Sequence, residues 1–377
     1  MTRYRMVDLF AGCGGLSFGF ERAGFNVVFS NDINPVSANT YMENIEIDKD
    51  CFYVGDINNI LESFDKFERH FNNIDLISGG PPCQGFSMAN RQRMIDDPRN
   101  ILYKSFLDIL KKSRPKFFIM ENVKGMMNRI DEIIVDFQNA LGKGYDISHA
   151  VLNAKDFGIP QNRERLFVIG NKIGIRTRSI FDNINKNKRT PFTLENAISD
   201  LPSLGVKKVK NNSSIENDIV GYFKVEHNYR VDDFYKFING DKSISYVYNH
   251  KNRYNNERDV EIFTRLPQGA NSLHPSIADI MPYKARNHIF KDKYFKLRYN
   301  DVCRTITSHM KFDCNMYIHP TQPRGLSARE AARIQTFPDD FVFWGAQNSW
   351  YMQIGNAVPV KLSEIIGGEI TKCLSSI

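Results

Sequence analysis

Asp8-Leu9-Phe10-Ala11-Gly12-Cys13-Gly14-Gly15-Leu16 ends a short apolar run in a cluster of glycines and then enters a helical pattern. A strand that ends in glycines and opens a helix lets a ligand approach the backbone at the C-terminal edge of a sheet. By itself this turn fits a nicotinamide, a flavin, S-adenosylmethionine or no ligand at all. Asp32 closes the next apolar run, where a carboxylate can accept from ribose hydroxyls. Asp56 closes the third, followed by Ile57, placed to meet an adenine edge; its ordinary reading is a helix N-cap. Three successive strand ends with suitable groups point to a nucleoside pocket.

Outward from this turn, residues 5–10, 27–31, 52–54, 75–78 and 117–120 read as strands, and 16–23, 36–44, 58–71 and 99–111 as helices. Residues 146–152 and 166–170 add two strands with no evident helix between them. The alternation predicts an α/β fold with a Rossmann-like, mostly parallel sheet covered on both faces. The polar, Asn-rich stretches 182–189 and 211–218 read as loops. Residues 222–317 mix aromatic and basic side chains without long periodic helices, as an irregular second domain would. An amphipathic helix is expected within 327–340, a strand or loop over 352–359, and a last helix over 360–374. The expected division is a cofactor-binding catalytic domain over 1–180, completed by 350–377, and a smaller domain over 181–349.

The 377 residues carry a net charge of +7, and its location matters more than its size. Residues 171–324 hold 26 Lys/Arg against 16 Asp/Glu, so the basic excess lies wholly in the middle of the chain. A solvated mixed-charge surface is the ordinary reading of such an excess. Its confinement to one region rich in Asn and Tyr favours a phosphate-backbone partner. The six cysteines include no CxxC pair, which argues against a zinc site or a disulfide framework. No apolar run approaches the ~18 residues of a membrane span, and Asp8 interrupts the first one. A soluble, cytoplasmic protein is expected.

Gly79-Gly80-Pro81-Pro82-Cys83-Gln84-Gly85-Phe86-Ser87 follows the fourth strand. A lone cysteine is usually an inert core residue. Here prolines stiffen the loop, and glycines let other groups come close, as presentation of a nucleophilic thiolate requires. Met120-Glu121-Asn122-Val123 ends the fifth strand at the same sheet edge, where Glu121 could be a cap, a surface acid, or a group that holds a proton on a ring nitrogen.

Taken together and in order, Phe10-Ala11-Gly12-Cys13-Gly14-Gly15, Pro81-Pro82-Cys83-Gln84-Gly85-Phe86-Ser87, Glu121-Asn122-Val123, Gln161-Asn162-Arg163-Glu164-Arg165, Arg329-Glu330-x-x-Arg333-x-Gln335-x-Phe337-Pro338 and Gln353-Ile354-Gly355-Asn356-Ala357-Val358-Pro359 resemble the motif set of bacterial restriction-modification-type cytosine-5 DNA methyltransferases. The resemblance runs from Asp8 to Pro359. It implies a methyltransferase fold, S-adenosylmethionine as cofactor, no metal, and a target-recognition role for the unmatched middle region. It implies Cys83 as nucleophile attacking C6 of a flipped-out cytosine in double-stranded DNA, with Glu121 at N3 and Arg163 and Arg165 on the base or its phosphates. The arginines could instead pair with Glu164 or another acid. Phe10, Gly12, Gly14, Gly15, Leu16, Asp32, Asp56, Ile57, Pro82 and Asn356 are the expected cofactor contacts. A monomer is expected, with a cognate restriction endonuclease acting on the same site without a stable complex. A tRNA methyltransferase of the same superfamily, a nucleotide-dependent oxidoreductase and an inactive DNA-binding module are the alternatives. The first lacks the large basic insert, the second does not explain the Pro-Pro-Cys loop, and the third does not explain why Cys83 and Glu121 are intact.

Overall fold

The computed structural model describes residues 3–82, 101–207, 224–226, 231–282 and 292–377, which form two compact units. The first comprises Met1–Phe157, Arg163–Arg189 and Val358–Ile377; the second comprises Gly158–Asn162 and Thr190–Ala357.

The first unit is built on β1 (Tyr4–Leu9), β2 (Phe25–Asp32), β3 (Phe52–Val54), β4 (Leu76–Gly79), β5 (Phe117–Val123), β6 (Asp146–Asn153) and β8 (Glu164–Asn171); the two-residue β7 (Gln161–Asn162) belongs to the second unit. Their order in the sheet is β3-β2-β1-β4-β5-β8-β6. β1 to β5 are mutually parallel, and β8 runs antiparallel to both β5 and β6. This is the mostly parallel α/β sheet that the alternation predicts, with an antiparallel β8 inserted beside β5. Parallel strands are covered on both faces, so they read as continuous apolar runs. Accordingly Leu76, Ile77, Phe117, Phe118, Ile119 and Met120 are all fully buried. Register decides where the chemistry falls. Leu9 lies opposite Gly79, and Gly79 opposite Met120, so Phe10, Gly80 and Glu121 come out at one sheet edge.

Helices α1 (Gly15–Arg22), α2 (Pro35–Asn44), α3 (Ile57–Glu62), α4 (Phe64–Phe71), α5 (Ile101–Ser113), α6 (Ile130–Leu141), α7 (Thr177–Asn185) and the last helix, α13 (Val360–Leu374), complete this unit. The helix expected over 58–71 breaks at Ser63. Helix α6 falls between strands 117–120 and 146–152, where the sequence reading places no element: Ile130, Ile133, Phe137 and Leu141 recur at helical spacing and are buried. Helix α7 corrects the first half of the loop expected over 182–189, since it runs to Asn185 with Ile180, Phe181 and Ile184 as a buried face among the asparagines; 186–189 lie beyond the helix. The loop expected over 211–218 lies outside the described residues. α13 returns the C-terminus to α1. A Cβ on Gly19 would stand 2.5 Å from the Val360 carbonyl, so only glycine allows this approach.

The second unit is irregular, as expected, with α8 (Leu194–Ile198), β9 (Lys224–Glu226), α9 (Asp233–Asn239), β10 (Tyr246–Tyr248), α10 (Glu257–Arg265), β11 (Cys303–Arg304), α11 (Ala328–Ile334) and α12 (Gln347–Asn356). Two expectations fail here. Residues 352–356 are helical, the end of α12, rather than strand or loop. Helix α11 is not amphipathic, because all seven residues are buried. Its charges are held inside. Arg333 binds both oxygens of Asp339 at 2.7 and 2.8 Å and reaches Asp200 at 2.5 Å. Arg324 grips Glu330 at 2.8 and 2.6 Å, while Arg329 donates to the Tyr248 and Pro338 carbonyls. The Arg324 charge holds the Glu330 carboxyl well below the usual carboxylate range despite its burial. Gln161 and Gln335 continue this network: Gln161 donates to Gln335 at 2.8 Å, and Gln335 to the Ile354 carbonyl at 2.7 Å.

Removing one member of a buried ionic group leaves its partners uncompensated, at about 3–5 kcal/mol. Arg333→Ala should therefore lose most of the stability of the second unit. A denaturation midpoint within error of the parent protein would contradict this.

Candidate active site

The glycine turn after β1 depends on unusual backbone angles. Phe10 has φ 57°, Gly12 57° and Gly14 90°, the last at the N-cap of α1. A left-handed phenylalanine is uncommon and marks a site where the surroundings hold strain. A Cβ on Gly12 would meet nothing within 4 Å, so the turn borders open space. Gly15 and Leu16 are buried at the start of α1.

Asp32 holds this turn together. Its carboxylate accepts from the Gly12 and Asn34 backbone N–H groups, both at 2.8 Å, joining the turn to the start of α2. Asn31 secures the next strand end by donating to the Tyr53 and Gly55 carbonyls. Asp56 accepts from Asn58 N–H at 2.8 Å and caps α3, its ordinary reading from sequence. Ile57 is buried in the core beside it. Two residues at this edge escaped the sequence reading: Ile33 is 70% exposed and Val54 43% exposed. The signal was available, since each apolar side chain lies within two residues of an acid at a strand end.

Beneath the turn runs a buried polar chain. Ser17 and Ser78 donate to opposite oxygens of Asp8, at 2.5 and 2.6 Å; Tyr41 donates to Ser17, and Ser30 to Tyr41, both at 2.7 Å. It ties β1, β2 and β4 to α1 and α2. Burial pushes Asp8 up to about 6, against the pull of the two serine hydroxyls. Cys13 is also buried, and its thiol is pushed up to about 12, so it is no thiolate near neutral pH.

Where the end of β5 adjoins the start of β8, an acid and a guanidinium meet. Glu121 and Arg165 sit on one face of the β5–β8 pair, diagonally placed because Val123 lies opposite Arg165 and Glu121 opposite Phe167. Arg165 Nε lies 2.9 Å from Glu121 Oε1, and each side chain is under 15% exposed. Burial raises Glu121 above the usual carboxylate range, with the charges of Arg165 and Arg163 opposing. Arg163 is 1% exposed. Arg165 thus pairs with an acid, as the ordinary reading of the arginines allows, but that acid is Glu121; Glu164 binds Lys124 at 2.8 Å and offers Arg165 its carbonyl. A Cβ on Gly80 would come within 3.3 Å of Glu121 Oε2, so the glycine leaves room at the carboxylate. Asn122 donates to the Pro81 carbonyl at 2.9 Å and fixes the start of the following loop. Pro81 is buried and Pro82 exposed; Cys83 lies outside the described residues. Asn356 is exposed at the end of α12, in the second unit.

Comparison with known proteins bears directly on this arrangement. The profile of the C-5 cytosine-specific DNA methylase family matches residues 4–372. The chain belongs to that family. It is therefore a cytosine-5-specific DNA methyltransferase. Similar proteins include the type II methyltransferase M1.HphI of Haemophilus parahaemolyticus, 33% identical over 97% of this chain and 86% of the relative. M.DdeI of Desulfomicrobium norvegicum is 32% identical over 97% of this chain and 88% of the relative. Among solved structures, a prophage-encoded E. coli protein assigned as a DNA modification methyltransferase matches with TM-score 0.76 and 27% identity over 99% of both chains. The Entamoeba histolytica methyltransferase EhMeth shares the fold at TM-score 0.57, with 15% identity and 99% coverage of both. Among the described residues, no helix of this methyltransferase is long and apolar enough to cross a membrane.

Asp8 binds its proton more tightly in the folded chain than in the unfolded one, so its contribution to stability falls as pH rises from 3.8 towards about 6. Asp8→Asn removes this titration. Its melting temperature relative to the parent should rise between pH 5 and pH 8, by the equivalent of roughly 1–3 kcal/mol. A difference independent of pH would contradict a raised Asp8.

Proposed function

We propose that this methyltransferase modifies C5 of a cytosine flipped out of a specific double-stranded DNA sequence, through a covalent adduct between Cys83 and C6. The observation that carries the proposal is the buried Glu121–Arg165 pair beside the loop that Asn122 holds at Pro81. C5 of cytosine is a weak nucleophile. Addition of the Cys83 thiolate to C6 forms the S–C6 bond and shifts the C5=C6 π pair to C5–C4 and the C4=N3 π pair onto N3, giving C5 enamine character. Glu121, with its proton affinity raised by burial, delivers or shares a proton at N3 and stabilises the charge that addition creates. Arg165 fixes the carboxyl of Glu121 and presents its other donors to the base or an adjacent phosphate, and Arg163 adds positive potential. After C5 is methylated, loss of the C5 proton expels Cys83 and restores the ring. The base must leave the duplex stack for this, at a cost of about a few kcal/mol.

S-adenosylmethionine, when bound, supplies an electrophilic methyl group on a positively charged sulfur. The residues of the first unit fit it. Gly12 borders open space, Asp32 keeps carboxylate lone pairs beyond the two N–H groups it accepts from, and Ile33 and Val54 offer exposed apolar surface for an adenine. Phe10, Gly12, Gly14, Gly15, Leu16, Asp32, Asp56, Ile57 and Pro82 would hold the cofactor; Asn356 joins them on the family resemblance alone. Sequence choice would fall to residues 181–349, chiefly 222–317. The partner would be duplex DNA, with a nuclease of the same specificity acting separately on unmodified sites, and the enzyme would be monomeric.

Fluorine in place of the C5 hydrogen blocks the last proton loss. A 5-fluorocytosine duplex with S-adenosylmethionine should therefore accumulate an adduct that survives denaturing electrophoresis and maps to a peptide containing Cys83. Cys83→Ser should lose nearly all of the adduct, because a hydroxyl is far less ionised than a thiol. Glu121→Gln should keep DNA affinity yet form adduct roughly 10²–10³ times more slowly. Trapping by Cys83→Ser would overturn the nucleophile, and trapping of fluorinated tRNA alone would overturn DNA as substrate.

A further inference from the structure

The segment from Thr307 to Phe312 in the second unit displays an exposed aromatic ring on a backbone clamped at both ends. Met310 and Cys314 are fully buried, yet Phe312 between them is 66% exposed. One clamp is Gly355 of α12. A Cβ there would lie 2.2 Å from Ser308 N and from the Thr307 carbonyl carbon, so the helix and this segment meet backbone to backbone. The glycine of the last motif thus has a use within its own unit. The other clamp is Arg253, which donates to the Met310 carbonyl at 2.6 Å, the Lys311 carbonyl at 3.2 Å and Asn348 Oδ1 at 2.9 Å. Tyr317 secures the approach by donating to the Thr305 carbonyl at 2.7 Å.

A rigid turn that keeps a large apolar ring in water forgoes burial, unless another surface covers the ring. The charges around it indicate which surface. Lys311 Nζ lies 4.8 Å from the Phe312 ring centre and the His309 ring 5.4 Å from it; Asp313, 4.0 Å from His309, is the opposing acid. An apolar ring bordered by a lysine ammonium and an imidazole matches a nucleic acid, in which unstacked base faces lie beside phosphates. We infer that the turn ending at Phe312 is a DNA-contacting element, in which Phe312 packs against bases at the target site and Lys311 meets the backbone. This rests on DNA being the substrate, and it names a residue that contributes to selectivity.

The test compares wild-type, Phe312→Ala, Phe312→Trp and Lys311→Gln enzyme. Each is titrated with a duplex carrying the sequence found methylated in DNA from an expressing host, and with a scrambled duplex. Phe312→Ala should weaken target binding roughly tenfold or more, leave scrambled binding within about twofold, and keep the parent melting temperature. Phe312→Trp should retain most of the target affinity. Lys311→Gln should weaken both duplexes alike and reduce the salt slope by about 1. Wild-type target affinity in Phe312→Ala would overturn the inference, including the case in which the ring serves a protein partner. A wild-type enzyme that methylates no DNA would instead overturn the function on which it rests.

Discussion

A carboxyl group at a buried sheet edge is tolerated here because an arginine on the neighbouring strand reaches it diagonally across an antiparallel register. β5 supplies Glu121 and β8 supplies Arg165, and the 2.9 Å contact exists only because β8 is inserted antiparallel beside β5. The pair does two things that oppose each other. Arg165 makes the charged carboxylate affordable, while burial keeps its proton affinity above the ordinary range. A group poised in this way holds a proton more readily than a solvated glutamate does.

The same logic of held backbone recurs along the edge. Asp32 binds two N–H groups of separate loops, Asn31 joins two strand ends, and Asn122 grips Pro81. Each uses a short polar side chain to fix a loop that packing alone would leave loose. The second unit applies a harsher version of the rule. α11 buries Arg329, Glu330 and Arg333, and satisfies the arginines with carbonyls and carboxylates and the glutamate with the Arg324 guanidinium. A polar network of this kind is stable only when its members are partnered, so it specifies one arrangement of the irregular segments that converge on it.

The parallel sheet and its ligand edge were legible in the sequence, because buried parallel strands are continuous apolar runs and their ends carry glycine, aspartate and glutamate. Helix α6 was legible too and was passed over, since Ile130, Ile133, Phe137 and Leu141 repeat at helical spacing. α11 differs from the expectation for a physical reason: a helix with two arginines and a glutamate looks amphipathic, and nothing in its own spacing shows that flanking Arg324 and Asp339 fold back to pair with it inside the protein. The diagonal placement of Glu121 and Arg165 could not be read either, because it depends on the antiparallel register of strands about forty residues apart. Ile33 and Val54 carry no periodic signal; their one mark in the sequence is position, beside Asp32 and two residues before Asp56 at strand ends.

The central claim is that the Glu121–Arg165 pair sets up attack at the cytosine ring. It is tested most directly by counting tritium released from [5-³H]cytosine in duplex DNA by the parent enzyme and by Arg165→Met at saturating S-adenosylmethionine. The account predicts one tritium released per methyl transferred by the parent. It predicts release at least roughly tenfold slower in the variant, from loss of a preorganised donor. Release by Arg165→Met at the parental rate would contradict it.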